Sequence, residues 1–145
     1  MKVAQKDARG ANRCMSRVFC AEYAQKTPRG TWVLNSYEME IIGYCCIIIG
    51  DEPAYHQIEG AWKTDNPYAV VHRMAFNKKA RGGGLSKEAF HLLKKYCISC
   101  GIGAIRVDTQ KENKVMQHIL IREGFRYCGL IQFDGGPKLA YEWDE

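Results

Sequence analysis

A chain of 145 residues, 46% hydrophobic and 26% charged, is one domain's worth of sequence and can bury roughly two-thirds of its unfolded surface. Its longest apolar run, around Tyr44 to Ile49, is far too short to cross a bilayer, and Met1 to Arg17 holds no apolar stretch behind basic residues, so a secretory signal is not expected and the cytoplasm is. A formal net charge of +5 suits a polyanionic ligand, while scattered lysines and arginines, with no basic block or helix-turn-helix signature, argue against nucleic acid as the main partner.

Along the chain, Asn12 to Ala24 can be drawn as a helix with Met15, Val18, Phe19 and Tyr23 on one side, and no strand is evident before it. Thr31 to Asn35 and Ile41 to Ile49 are β-rich runs that suggest a hairpin. Asp51 to Asn66 is polar and turn-rich, with Pro53 and Gly60 inside it and Pro67 just beyond, and reads as a long ordered loop; Tyr68 to Phe76 reads as a strand. Ser86 to Cys100 places Ala89, Leu92, Leu93, Tyr96, Cys97 and Cys100 at helical spacing opposite Lys87, Glu88, Lys94 and Lys95, and Gly101 ends it. Ile102 to Asp108 is a strand, Asn113 is a plausible cap for a second helix through Val115, Met116, Ile119 and Leu120, and Gly124 stops that helix. Phe125 to Phe133 and Leu139 to Trp143 are strands joined at Asp134-Gly135-Gly136-Pro137.

The order β-β-β-α-β-α-β-β predicts an α/β (α+β) fold. Its sheet is mixed and mostly antiparallel: the strand-helix-strand unit forces one parallel pair, and the hairpins supply the rest. The seven cysteines are odd in number, and Cys97-x-x-Cys100 has neither a second such pair nor a spaced histidine pair. Buried, reduced thiols are expected rather than a disulfide framework, a zinc site or a redox motif.

Three glycines, Gly82-Gly83-Gly84, stand between a strand and a helix with Arg81 before them. Glycine tolerates positive φ and close approach of a ligand, so backbone N–H groups can converge on a diphosphate at the positive end of the following helix. Gly84-Leu85-Ser86-Lys87 lacks the spacing of a P-loop. A dinucleotide-binding G-x-G-x-x-G is closer, with Asp108 about where a ribose-binding acid belongs, but Lys87 takes the third glycine's place, and a Rossmann-type nucleotide enzyme stays as the runner-up.

Lys79-Ala80-Arg81-Gly82-Gly83-Gly84 resembles the Q/R-x-x-G-x-G/A motif of the GNAT (GCN5-related) N-acetyltransferases. Val71 to Phe76 is similar to that family's fourth strand, and Ile105 to Thr109, Asn113 and Gly124-Phe125 resemble its fifth strand, last helix and N…GF ending. The match runs from about Thr31 to Trp143. A single domain over 1–145 is expected, with 31–143 as its core and 1–30 as an irregular or helical segment in which the family's first strand is short or missing.

The resemblance implies acetyl-CoA as donor, a primary amine of a small molecule or peptide as acceptor, direct attack on the thioester, and no metal. It implies that the pantetheine pairs with Met74, Ala75 and Phe76, that the pyrophosphate sits on Arg81, Gly82, Gly83, Gly84, Leu85 and Ser86, and that Asn113 approaches the far part of the cofactor. His72 is the candidate base, because some members use a histidine on this strand; a histidine merely packed in the sheet, a base acting through water, and Glu59 are the other readings. Leu120 stands where the family's thiolate acid, a tyrosine, is usual. That departure motivates a second reading, a non-catalytic acyl-CoA-binding module. Tyr55, His56, Trp62 and Tyr68 are interleaved in the long connection, and Tyr55, Trp62 and Tyr68 form a candidate wall for a cationic acceptor. A missing edge strand would leave a ladder for a second subunit, so a homodimer is a further expectation.

Overall fold

A computed structural model describes residues 19–23, 29–35, 41–78 and 81–145. The elements in chain order are β1 (Phe19–Tyr23), β2 (Arg29–Asn35), β3 (Ile41–Ile49), a 3-10 turn (Pro53–Tyr55), β4 (Ile58–Gly60), β5 (Tyr68–Phe76), α1 (Leu85–Ser99), β6 (Ala104–Thr109), α2 (Lys114–Arg122), β7 (Arg126–Phe133) and β8 (Gly136–Asp144). All eight strands join one sheet in the order β1-β2-β3-β5-β6-β8-β7-β4. Only β5 and β6 run parallel, because α1 carries the chain back to the same end of the sheet between them.

Period-two alternation divides the sheet's residues between two packed layers. Cys45, Ile47, Ala69, Val71, Ile105, Val107 and Tyr141 face the helices, where Phe90, Leu93 and Cys97 of α1 and Leu120 of α2 meet them. Full burial of Phe90 or Leu93 contributes about 2–3 kcal/mol each. Ile48, Val70, Cys128, Ile131 and Ala140 face the other way and are covered by Tyr55, Ile58, Trp62 and Tyr68 from the 50–68 segment. Both helices end as their glycines dictate. Gly101 (φ 75) lets the Ile102 N–H reach Cys97 O at 2.9 Å, and Gly124 (φ 85) lets the Phe125 N–H reach Leu120 O at 2.9 Å.

Two expectations need correcting. Phe19–Tyr23, drawn above as the end of a helix, is a strand paired antiparallel with β2, Phe19 opposite Asn35 and Tyr23 opposite Thr31. A strand thus stands where none was evident, and residues 12–18 and 24 of the expected helix lie outside the described residues. The connection from Asp51 to Asn66 is also not all loop, since β4 pairs with β7 through Ile58↔Ile131 and Gly60↔Gly129. Gly60 (φ 141) and Gly129 (φ 143) approach so closely that a Cβ on either would stand 2.2 Å from a carbonyl oxygen of the other strand, Cys128 O or Glu59 O. Two glycines are what let this short strand dock. Among the described residues no helix is long and apolar enough to cross a membrane.

Candidate active site

The sheet opens at its centre. β5 pairs with β6 from Tyr68↔Ala104 to Val71↔Val107 and no further, although β5 runs on to Phe76 and β6 to Thr109. The cause lies in β5. Against β3, His72 pairs with Cys46 and Ala75 with Tyr44, so Arg73 and Met74 together oppose Cys45 alone. Arg73 adopts φ 54, a left-handed conformation that costs a non-glycine residue about 1–2 kcal/mol. This bulge reverses the side-chain alternation. Val70 packs on the face covered by the 50–68 segment, whereas Met74 and Phe76 pack with Leu85, Ala89 and Leu92 on the α1 side. Beyond the bulge, the β6-facing main chain of Met74, Ala75 and Phe76 has no strand partner among the described residues.

His72 and Asp108 stand side by side one residue beyond the last closed rung, Val71↔Val107. His72 Nδ1 lies 3.3 Å from Asp108 Oδ2, and His72 Nε2 lies 3.5 Å from Glu52 Oε2. The Asp108 side chain is 3% exposed and also accepts from the Tyr55 hydroxyl at 2.7 Å and from Lys138 Nζ at 3.0 Å. Burial pushes the Asp108 carboxyl up, but hydrogen bonds from His72, Tyr55 and Lys138 outweigh it and hold the group below the usual carboxylate range. The Tyr55 hydroxyl is pushed well up, first by burial and then by the charge of Asp108, so it is a fixed donor. The His72 ring is partly exposed, unlike Asp108, which leaves it reachable from outside.

The glycine loop occupies the end of α1 that faces away from its Gly101 stop. Gly82 (φ 85) and Gly84 (φ 76) are both left-handed, with open space where a side chain would stand. No side chain caps α1, and its first helical bond runs from Glu88 N to Gly84 O, so the N–H groups of Leu85, Ser86 and Lys87 have no acceptor within the helix. Arg81 is exposed beside them. From the end of α2, Arg122 donates to Ser86 Oγ at 2.9 Å, adding a second guanidinium that sequence reasoning missed. Asn113 caps α2 as expected, its Oδ1 accepting from Met116 N at 3.0 Å.

The aromatic residues do more for structure than a simple wall would. Tyr55 is 1% exposed, with its hydroxyl on Asp108. Trp62 and Tyr68 sandwich the Arg106 guanidinium at 4.2 and 3.8 Å, and the Trp62 indole N–H donates to Tyr55 O at 3.1 Å. Arg106 in turn donates to Glu142 Oε1 at 2.9 Å and to Thr64 O, while Glu142 Oε2 accepts from the main chain of Lys63 and Thr64. This buried pair fastens the 61–66 stretch across the sheet. Tyr68 also reaches the site's edge, its hydroxyl 3.3 Å from Asp51 Oδ1. His56 pairs with Asp51, and Glu59, on the edge strand β4, accepts from Gln132 of β7.

Leu120 is fully buried in the helix-side core, so its position offers no proton donor. Cys45 and Cys97 are buried thiols, but Cys100, grouped with them above, is exposed because it falls beyond the last turn of α1. Among the described residues no group of three or more His, Cys, Asp and Glu is arranged to hold a metal ion. Asp108, Glu52, Lys138 and Arg122 are the site residues that sequence reasoning did not assign. Asp108 had a signal: it ends the strand parallel to the one that carries His72.

The model of the Acetyltransferase (GNAT) family matches residues 4–125, and the chain belongs to that family. Among solved structures, a GNAT family acetyltransferase from Streptococcus agalactiae 2603 is 35% identical, with a TM-score of 0.71 over 79% of this chain and 65% of that one. A GNAT family acetyltransferase from Listeria monocytogenes 4b F2365 shares the fold at 19% identity and TM-score 0.61, over 79% of this chain and 64% of that one. So does the aminoglycoside acetyltransferase AAC(6')-Ib, solved in complex with coenzyme A, at 18% identity and TM-score 0.62 over 81% and 67%. The chain thus spans about two-thirds of these proteins' lengths, 65% for the Streptococcus protein. No curated protein matches its sequence.

Proposed function

We propose that this protein transfers an acetyl group from acetyl-CoA to a primary amine of a small molecule or peptide, with His72 as the base and Asp108 as the residue that positions it. The observation that carries this reading is the His72–Asp108 pair at the point where β5 and β6 part.

The residues present fit coenzyme A. The split leaves the main chain of Met74, Ala75 and Phe76 open on the β6 side, which suits the amides of a pantetheine arm. The left-handed glycines, the uncapped start of α1 and the guanidinium groups of Arg81 and Arg122 suit a pyrophosphate. Acetyl-CoA supplies a thioester: the acceptor nitrogen bonds to the acyl carbon as the carbon–sulfur bond breaks, and of the two protons an ammonium loses, one ends on the departing sulfur. His72 takes the other. Asp108 accepts the Nδ1–H, which leaves the lone pair on Nε2, and its charge stabilises the imidazolium once formed. Lys138 and Tyr55 keep Asp108 ionised and aimed.

The test is release of free thiol from acetyl-CoA over a panel of alkylamines, arylalkylamines, aminoglycosides and peptides, with calorimetric titration by coenzyme A and by NAD alongside. Amine-dependent thiol release that falls about 10²–10⁴-fold in His72→Ala supports the reading. Tight coenzyme A binding with no amine-dependent thiol would establish the non-catalytic acyl-CoA-binding module that the buried Leu120 favours. Binding of NAD in place of coenzyme A would sink both.

A further inference from the structure

The two carboxylates on His72 are not equivalent. Asp108 has Lys138 Nζ at 3.0 Å and the Tyr55 hydroxyl at 2.7 Å, so its charge is matched whatever the state of the ring. Glu52, with its side chain 13% exposed, has His72 as its one ion-pair partner among the described residues. Two neighbouring cations are committed elsewhere, Lys138 to Asp108 and Arg106 to Glu142. A neutral His72 that gives its Nδ1–H to Asp108 turns a lone pair on Nε2 toward Glu52 Oε2 at 3.5 Å. Two acceptors then face each other with no donor between them, and a largely desolvated carboxylate has no cation.

With the ring neutral, as a base must be, one kind of ligand resolves both deficits: a cation with at least two N–H bonds. We infer that Glu52 is the acceptor-binding residue, and that the acceptor enters as a primary ammonium bridging Glu52 Oε2 and His72 Nε2. The inference rests on the transferase reading above and narrows its substrate class. Asp51 and Glu52 are adjacent at the mouth of the site, with the Tyr68 hydroxyl 3.3 Å from Asp51 and 3.4 Å from the Glu52 main-chain nitrogen. An acceptor bearing a carboxylate on the carbon next to its nitrogen meets repulsion there, so the class is an alkylammonium without an α-carboxylate.

The proton balance closes. When one N–H bond of the ammonium breaks, the proton forms a new N–H bond at His72 Nε2, and no bond to carbon or sulfur changes. The imidazolium then lies between Asp108 and Glu52, so Glu52 exchanges one cationic partner for another without standing unpaired.

The experiment uses the full chain saturated with coenzyme A, titrated with n-pentylammonium and separately with norleucine, which is the same chain carrying an α-carboxylate. Affinity is read by calorimetry and the His72 ring by its ¹⁵N resonances. Wild type binds n-pentylammonium with a shift of the His72 resonances, and norleucine about tenfold more weakly or worse. Glu52→Gln, which keeps the shape and loses the charge, weakens n-pentylammonium about tenfold or more, and Glu52→Asp falls between. Thermal melts check that both variants fold, and Glu52→Asp serves if Glu52→Gln does not. Unchanged affinity in the folded variants, equal binding of norleucine, or no binding of n-pentylammonium by wild type overturns the assignment of Glu52. Failure of coenzyme A to bind wild type overturns the transferase reading itself, which separates the two failures.

Discussion

Replacing Asp108 by Asn keeps the shape of the side chain and exchanges one acceptor oxygen for an NH₂ donor, with consequences that can be worked through from three contacts. In the native site Oδ1 serves Lys138 at 3.0 Å, and Oδ2 serves Tyr55 at 2.7 Å and His72 at 3.3 Å. An Asn that turns its NH₂ toward Lys138 sets a donor against an ammonium and forfeits a charge-assisted hydrogen bond of about 1.5–3 kcal/mol. The opposite orientation keeps Lys138 satisfied but donates to His72 Nδ1, which moves the ring's proton to Nε2, the nitrogen that must be empty. The second orientation therefore dominates by about tenfold or more. Loss of the carboxylate that stabilises the imidazolium adds about another tenfold to hundredfold. Thiol-release rates are expected to fall about 10²–10³-fold, with coenzyme A affinity little changed, and long-range ¹⁵N–¹H spectra should show the switch of tautomer. A variant that keeps the Nδ1–H tautomer and works within about threefold of wild type would refute the positioning role. Stability supplies an independent readout. Because the folded state holds the Asp108 carboxyl below its ordinary value, its contribution is fully present above the ordinary carboxylate pKa and is lost as pH falls through the lowered folded value. The gap in stability between wild type and Asp108→Asn should therefore be widest near neutrality and close on acidification below about pH 4.

Three further outcomes follow from other parts of the fold. Gly84→Ala meets open space but φ 76, so it should cost about 1–2 kcal/mol, lower the melting temperature by a few degrees and weaken coenzyme A in calorimetry; unchanged coenzyme A affinity would remove the loop from the cofactor site. Glu142→Gln leaves Arg106 buried without its counter-charge and should cost about 3–5 kcal/mol in denaturant melts, and a loss below about 1 kcal/mol would refute the pair's structural role. Iodoacetamide at pH 8 should label the exposed Cys100 in the native protein and spare Cys45 and Cys97, whose thiols burial pushes up to about 12, until the chain is unfolded, as peptide mapping can check.

What the sequence disclosed was local. Gly82 to Gly84 and the helix after them could be read because glycine's special backbone freedom and a 3.6-residue period are both properties of neighbouring residues. Tyr68 to Phe76 was delimited to the residue, because the run is bounded by Pro67 before it and by the polar Asn77 and Lys78 after it. Phe19–Tyr23 was not, since Phe-Cys-Ala-Glu-Tyr fits a helix face as readily as an alternating strand, and pairing with β2 decides it. The site's side-chain partners were the least legible part. His72 meets Asp108 from 36 residues away and Glu52 from 20, and only the first meeting had a signal, the strand-helix-strand order that makes β5 and β6 parallel. The parallel register Val71↔Val107 makes the first pair, and the fold of the 50–68 segment over the sheet makes the second. The packing of Trp62 and Tyr68 on the Arg106 guanidinium was not legible either, because it joins residues more than 35 positions apart in the chain.

These contacts divide the protein into two halves with different tolerance to change. On the reading proposed above, the cofactor side is made chiefly of main chain: the unpaired rungs of β5, the left-handed glycines and the start of α1. Backbone of this kind accepts most side-chain substitutions that preserve φ, so coenzyme A affinity is expected to survive most exposed side-chain changes there. The acceptor side is made of side chains carried by one long segment, with Glu52 and Tyr55 at its start and Trp62 to Thr64 near its end. That segment is fastened by the buried Arg106–Glu142 pair, whose removal unpins Trp62 and, through its hydrogen bond to Tyr55 O, the donor that keeps Asp108 aimed. Acceptor chemistry is thus coupled to the stability of a surface segment, whereas cofactor binding is coupled to the core of the sheet. Changes that loosen residues 51–67 should cost acceptor turnover well before they cost coenzyme A affinity.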